Sequence, residues 1–179
     1  MLPLKKLVQE HMLIMKMLDA LRGLAASAGS GGKISAEKLD YAAKFLMEFI
    51  GRFHFGKEEE VFFPYLESMG MGRHDRIIEV LLSDHQQARQ YASTFAGAIE
   101  NYKKGQARAL IEAAETIYKY CGLVSKHIEK ENKTIVLQAA QTLKEQDYIE
   151  LSKRFEKIEH ETIGANALEK YEGLVEKIG

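Results

Sequence analysis

The sequence predicts an all-α protein, an up-down-up-down antiparallel four-helix bundle with an additional C-terminal helical segment, and three observations predict it. Its polar residues are mostly Lys, Glu and Gln, its apolar residues are rich in Leu, Ala, Ile, Met and Phe, and it has two prolines in 179 residues. Such side chains lose little freedom on entering a helix. Apolar residues recur every three or four positions, the period of a helix and not the alternation of a strand. Glycine-rich breaks divide the chain into long stretches with short connections, which favours antiparallel neighbours.

The first helix is expected from Pro3, well placed in an N-terminal turn, to about Ala28, with Leu4, Leu7, His11, Ile14, Leu18 and Leu21 on one face. The stretch from Gly29 to Gly32 ends it, and Ser35 serves as N-cap for a second helix from Ala36 to about Ser68, with Glu37 in its first turn. Leu39, Ala43, Leu46, Ile50, His54, Glu58, Val61 and Tyr65 face inward there, and Pro64 is expected to bend the last turn before Gly70 to Gly72 stop it. The third helix starts near Arg73, carries Ile78, Leu81, His85, Ala88, Ala92, Phe95 and Ile99, and closes at Lys103 to Gly105. The fourth, from about Gln106 to Leu143, carries Leu110, Ala114, Ile117, Cys121, Val124, His127, Glu131 and Ile135. A further helical region from about Glu145 to Ile178, interrupted at Gly164, has Tyr148, Leu151, Phe155, Ile158, Leu168 and Leu174 to bury and should cross the bundle. A chain of this length supports one core, so residues 1–179 are expected to be a single domain, with the bundle at about 3–143 and the extra segment at about 145–178.

Composition narrows the function. A formal net charge of -1 is not the one-signed surface that holds a nucleic-acid backbone or an anionic membrane, so neither partner is expected. The single cysteine, Cys121, cannot close an internal disulfide, and charged residues interrupt the first 23 residues; both suit a soluble cytoplasmic protein. No phosphate loop, Ser/His/Asp order or paired-cysteine motif is visible.

The chemistry lies in the stripes themselves. Each of the four main helices carries one histidine within its apolar face, and on two of them a glutamate follows four residues later: His54 with Glu58, and His127 with Glu131. A carboxylate inside a bundle needs a compensating cation, a proton or a charged donor. Four neutral imidazoles do not supply that charge, whereas two metal ions would, with imidazole nitrogens completing the coordination. Heights also match. His11 lies about 17 residues before its helix end and His54 about 18 after the next start; about 14 residues beyond His54 answer about 12 before His85, and about 19 after His85 answer about 21 before His127. The competing reading is a metal-free hydrogen-bonded network within a helical interaction module.

The run His54-Phe-Gly-Lys-Glu-Glu-Glu60, followed by Val61, Phe62, Phe63 and Pro64, resembles the second-helix motif of hemerythrin-like (HHE) cation-binding domains. His127-Ile-Glu-Lys-Glu131-Asn132 resembles the family's fourth-helix motif, and Glu10-His11 and Asp84-His85 fall in the family's order, so the likeness spans about Leu4 to Leu137. The resemblance implies a non-haem centre of two iron ions bridged by carboxylates and an oxo or hydroxo group. His11, His54, His85 and His127 would be terminal ligands and Glu58 and Glu131 bridges. It implies binding or sensing of dioxygen or a related small ligand, or handling of iron. The alternative is a redox enzyme acting on peroxide or nitric oxide, or in iron-cluster repair.

Oxygen-carrying relatives place two histidines one turn apart on the third helix, but Leu81 and Arg89 flank His85 at that spacing. The vacancy calls for a ligand from elsewhere or leaves an open position. Glu159, at the position of a C-terminal feature of bacterial and archaeal relatives, is the first candidate, and His160 is its substitute. Leu81, Ile50, Val124 and Phe53 are expected to line the site and limit water entry. Tyr65, Tyr118 and Tyr120 are read as packing residues ahead of partners to a bridging carboxylate. Met12, Met15, Met17 and Met47 are read as core filling, Cys121 as buried and inert, and His74 as exposed.

Overall fold

Helices account for nearly all of the computed structural model, which describes residues 2–30, 32, 34–72, 76–164 and 166–179, the side chain of Ala167 excepted. Among the described residues there is no strand, and no helix is long and apolar enough to cross a membrane. The expectations for His74 and for a helix start near Arg73 lie outside the described residues.

The first helix, α1 (Pro3–Gly29), has proline in its first turn, where the missing N–H costs nothing. A second rod follows without a break: α2 (Ala36–Lys44), a π-helical stretch Phe45–His54, the short α3 (Phe55–Lys57), a π turn Glu58–Phe62, and α4 (Phe63–Ser68). The residues at each junction keep right-handed helical backbone angles. Ser35 is the N-cap, but its hydroxyl makes no capping hydrogen bond.

The π stretches follow from the sequence. Leu46, Ile50, His54 and Glu58 are spaced by four, and in a regular α-helix each such step drifts about 40° around the axis. Wider turns keep all four on one face, and all four are buried. Pro64 adds a local reason: it cannot donate to the Glu60 carbonyl, and its ring clashes there in a regular helix. The π turn immediately precedes it.

Three further helices complete the bundle and its break: α5 (Ile77–Lys103), α6 (Ala109–Lys133) and α7 (Ile135–Thr142). The long fourth helix expected to Leu143 is divided at Thr134, whose backbone (φ -117°, ψ -88°) leaves the helical region. Two C-terminal helices follow, α8 (Glu145–Thr162) and α9 (Ala167–Ile178). Gly164 at φ 77° supplies the left-handed conformation between them.

Two apolar cores result. The larger gathers Leu13, Ile14, Leu18, Phe45, Phe49, Phe53, Phe95, Ile117 and Val124, and is completed by Tyr171, Leu174 and Ile178 of α9. The smaller gathers Leu4, Leu7, Phe62, Phe63, Leu81 and Ile135 with Leu151, Phe155 and Ile158 of α8. Each of those three α8 side chains contributes about 1.5–3 kcal/mol by leaving water, enough to hold a helix whose other faces are charged. Between the two cores, at one level, lies a layer of buried polar residues: Glu10, His11, His54, Lys57, Glu58, His85, His127 and Glu131.

The core corrects one expectation. Met17 is buried, but Met12 is 61% and Met47 50% exposed, so these two do not fill it. Both lie off the buried face of their helices.

Candidate metal centre

Four helical rods each bring one imidazole to the polar layer, and two of them add a carboxylate. His11 comes from α1, His54 and Glu58 from the π-helical part of the second rod, His85 from α5, and His127 and Glu131 from α6. All six are at most 2% exposed. Their ligating atoms form two groups, each compact enough to enclose an ion: His11, His54, Glu58 and Glu131 within 4.8 Å of one another, and Glu58, His85 and His127 within the same span.

Glu58 belongs to both groups. Its Oε1 lies 3.1 Å from His54 Nε2 and 3.6 Å from His11 Nε2, while its Oε2 lies 3.1 Å from His85 Nε2. Glu131 reaches across with one oxygen, its Oε2, 3.2 Å from His11 Nε2 and 3.7 Å from His127 Nε2. His85 Nε2 and His127 Nε2 stand 3.2 Å apart. Both oxygens of both carboxylates, with His11 Nε2 and His54 Nε2, are buried without a well-formed hydrogen bond. Buried polar atoms are nearly always partnered, so six converging orphans are what a cation-binding donor set looks like without its ion. Imidazole and carboxylate suit a divalent first-row metal.

An outer circuit of oxygens turns the imidazoles toward the centre. Glu10 of α1 accepts from His54 Nδ1 at 2.9 Å, Glu59 of the second rod accepts from His85 Nδ1 at 2.8 Å, and Asn132 of α6 accepts from His11 Nδ1 at 2.9 Å. Asp84 of α5 lies 3.5 Å from His127 Nδ1, ion-pair distance and too long for a formed bond. Each outer residue is adjacent in sequence to an inner one, yet it serves the imidazole of a neighbouring helix. An Nδ1–H held by an oxygen leaves the Nε2 lone pair free to bind metal.

Charge accounting separates the two layers. The outer acids have their own cations: Glu10 pairs with Lys57, Glu59 with Arg89 at 2.7 Å, and Asp84 with Lys130 at 2.9 Å. Glu58 and Glu131 have only the imidazoles. Burial raises the Glu58 carboxyl, but His54, His11 and His85 outweigh it and hold Glu58 well below the ordinary range. Burial favours neutral His11, but Glu131 and Glu58 outweigh it and push its pKa up to about 10. By the same balance, with Glu58 and Glu59 as the acids, His85 rises to about 9. The donor set therefore calls for positive charge, from protons or from metal.

Glu159 and His160 fall outside both groups. The Glu159 carboxylate pairs with Lys6 at 3.1 Å and Lys57 at 3.4 Å, and His160 is exposed. The second group has no donor from Leu81, which is fully buried, or from Arg89, which donates to Gly51 O and Glu59 instead. Phe55 fills the flank of His85, stacked at 3.8 Å between ring centroids. Leu81, Ile50, Val124 and Phe53, the residues expected to line the site, are buried, each at most 1% exposed. Tyr65 donates to Asp147 at 2.6 Å, Tyr118 is 50% exposed and Tyr120 is buried. Cys121 is buried, and that burial raises its thiol to about 11, leaving it unreactive.

Sequence reasoning did not assign the outer oxygens, Lys57 or Phe55. A signal was present for four of them: Glu10, Glu59, Asp84 and Asn132 each sit next to an inner ligand candidate, where a helix points a side chain about 100° away toward its neighbour.

A helical bundle enclosing a buried layer of imidazoles and carboxylates with orphaned donor atoms defines a cation-binding protein of the histidine and carboxylate type. The hemerythrin HHE cation binding domain matches residues 2–139, and the chain belongs to that family. Comparison with curated proteins and with solved structures returns no match. Family and site together make this a metal-binding protein.

Proposed function

We propose that the protein holds two iron ions, one in each donor group, and uses them to bind or sense dioxygen or a related small ligand. The observation that carries this reading is Glu58, whose two oxygens face different imidazole groups and are both orphaned. A carboxylate so placed serves two cations at once, and Glu131, from the opposite rod, spans the two groups with a single oxygen, Oε2. His11, His54, Glu58 and Glu131 would hold the first ion, and Glu58, His85, His127 and Glu131 the second. The choice of iron rests on the family's chemistry. Such a pair supplies electrons to a small ligand when reduced. The chain's own residues orient the imidazoles through Glu10, Glu59 and Asn132, and exclude water with Leu81, Phe53, Phe55 and Val124.

The test is anaerobic titration with ferrous iron, followed by metal content per chain and absorption spectra before and after air. Two irons per chain and a spectrum that changes with oxygen are expected. A purified protein that takes up no transition metal ends the reading.

One observation favours turnover as a second reading. A groove lined by Gly51, Gly56, Glu59 and Arg89 opens beside the Glu59 that holds His85. Repeated consumption of peroxide or nitric oxide by the reduced protein, lost in His54→Ala, would make it a redox enzyme.

A further inference from the structure

Lys57 is wholly buried, a rare state for lysine. Its ammonium lies 3.8 Å from the Phe53 ring centroid and 5.5 Å from that of Phe155 on α8. It pairs with Glu10 Oε1 on one side and with Glu159 Oε1, 3.4 Å away on α8, on the other. Glu10 uses its second oxygen on His54 Nδ1. Glu159 continues outward to Lys6 at 3.1 Å. A line of alternating charge thus runs from His54 to a helix that begins beyond the residues matched by the family, 2–139.

Neutralising Glu10 requires one cation, and a surface cation reaching inward would serve. A lysine sealed beneath α8 and shared with Glu159 does more: its position depends on α8 being docked, and the position of Glu10 depends on it. Packing supports the same dependence, because Phe155 of α8 lies near the ammonium and is itself fully buried.

We propose that Lys57 is a positioning residue that couples the docking of α8, through Glu159, to metal binding at the His11 and His54 position, through Glu10. The inference rests on the reading of the site as a metal centre. Coupling between two sites is reciprocal: if docked α8 strengthens metal binding, bound metal shifts the opening equilibrium of α8 toward the docked state by the same factor. A lysine that only stabilises the fold does not give that reciprocity.

The experiment uses the full chain. Stepwise chelator competition with ferrous iron resolves the two metal affinities in the wild type, Lys57→Met, Glu159→Gln and, as control, Glu156→Gln, an exposed charge on α8. Hydrogen exchange is followed across residues 155–162 with and without metal. Loss of an orienting contact commonly costs 10–100-fold in metal affinity. One affinity is expected to fall about tenfold or more in Lys57→Met and by a smaller factor in Glu159→Gln, with the other affinity and the control unchanged. Metal is expected to slow exchange in α8 of the wild type and not of Lys57→Met. Wild-type affinities in both variants overturn the proposal, as does an equal loss at both steps that tracks a lower thermal midpoint of the metal-free protein. A wild type that takes up no metal fails the metal reading itself, and that failure is visible before any variant is compared.

Discussion

Glu10 accepts a hydrogen bond from His54 at 2.9 Å, although the two residues stand on different helices and the histidine beside Glu10 in sequence is His11. The same exchange recurs where Asn132, next to Glu131, holds His11, and where Glu59, next to Glu58, holds His85. Each helix therefore supplies a ligand to the centre and three of the four orient the ligand of a neighbour by a hydrogen bond, so the donor set depends on all four rods being packed together.

Asn132→Ala removes the oxygen that fixes His11 without touching a donor atom. Metal affinity should fall about 10–100-fold, while helical content by circular dichroism stays at the wild-type level. Unchanged affinity would show that His11 is held by packing alone.

Glu58 reaches both donor groups and His54 reaches one. Glu58→Ala should therefore lose both ions, and His54→Ala should weaken one binding step more than the other. Metal analysis per chain, made alongside chelator titration, checks this. Retention of two ions by Glu58→Ala would exclude the bridging role.

Metal should stabilise the fold. Binding at a free concentration a hundred times the dissociation constant adds about 2.7 kcal/mol, which for a chain of this size raises the thermal midpoint by about 5–11 °C. Chelator should remove that increment. A midpoint indifferent to chelator would point instead to a metal-free module with a hydrogen-bonded interior.

The pKa values of His11 and His85 in the metal-free protein, about 10 and about 9, lie above the ordinary histidine value of 6.5. Both rings are then protonated at neutral pH, and metal must displace those protons. Loading near pH 7 should release protons, and apparent metal affinity should rise with pH until it levels near pH 10. The sign for stability is opposite. A raised folded-state pKa stabilises fully below 6.5, and that contribution disappears as pH rises through 9 and 10. Metal-free protein should accordingly melt lower at pH 10 than at pH 7. Proton release measured in weakly buffered titrations and melting curves across this range test the two statements separately.

Phe55 stacks on His85 and is 1% exposed. Phe55→Ala should destabilise the protein by about 3–5 kcal/mol through the cavity it leaves. Phe55→Leu, which keeps most of the volume, should cost less and still loosen His85, seen as weaker metal binding. Wild-type affinity in Phe55→Leu would make the stacking incidental.

Much of this was legible before any coordinates. The stripes Ile78, Leu81, His85, Ala88, Ala92, Phe95 and Ile99 on α5, and Leu110 through Ile135 on α6 and α7, are buried as their period indicates. The spacing of four from Leu46 to Glu58 was read as one inward face, but the π turns that keep it on one face were not anticipated. Local breaks were harder to read. Nothing near Thr134 resembles the usual glycine stop, so the division between α6 and α7 was not anticipated.

By itself, then, the sequence determined which faces of which helices are apolar and that each main helix carries one imidazole there, because both depend on spacing along a single chain. Only the tertiary structure decided who partners whom. It gave Glu159 to Lys6 and Lys57 and not to the centre, left Met12 and Met47 in solvent, sealed Lys57 beneath α8, and passed each outer oxygen to the next helix's histidine. Those outcomes depend on how far each rod is rotated about its axis and how closely it approaches its neighbour. Packing sets both quantities, and the period of one helix carries no information about either.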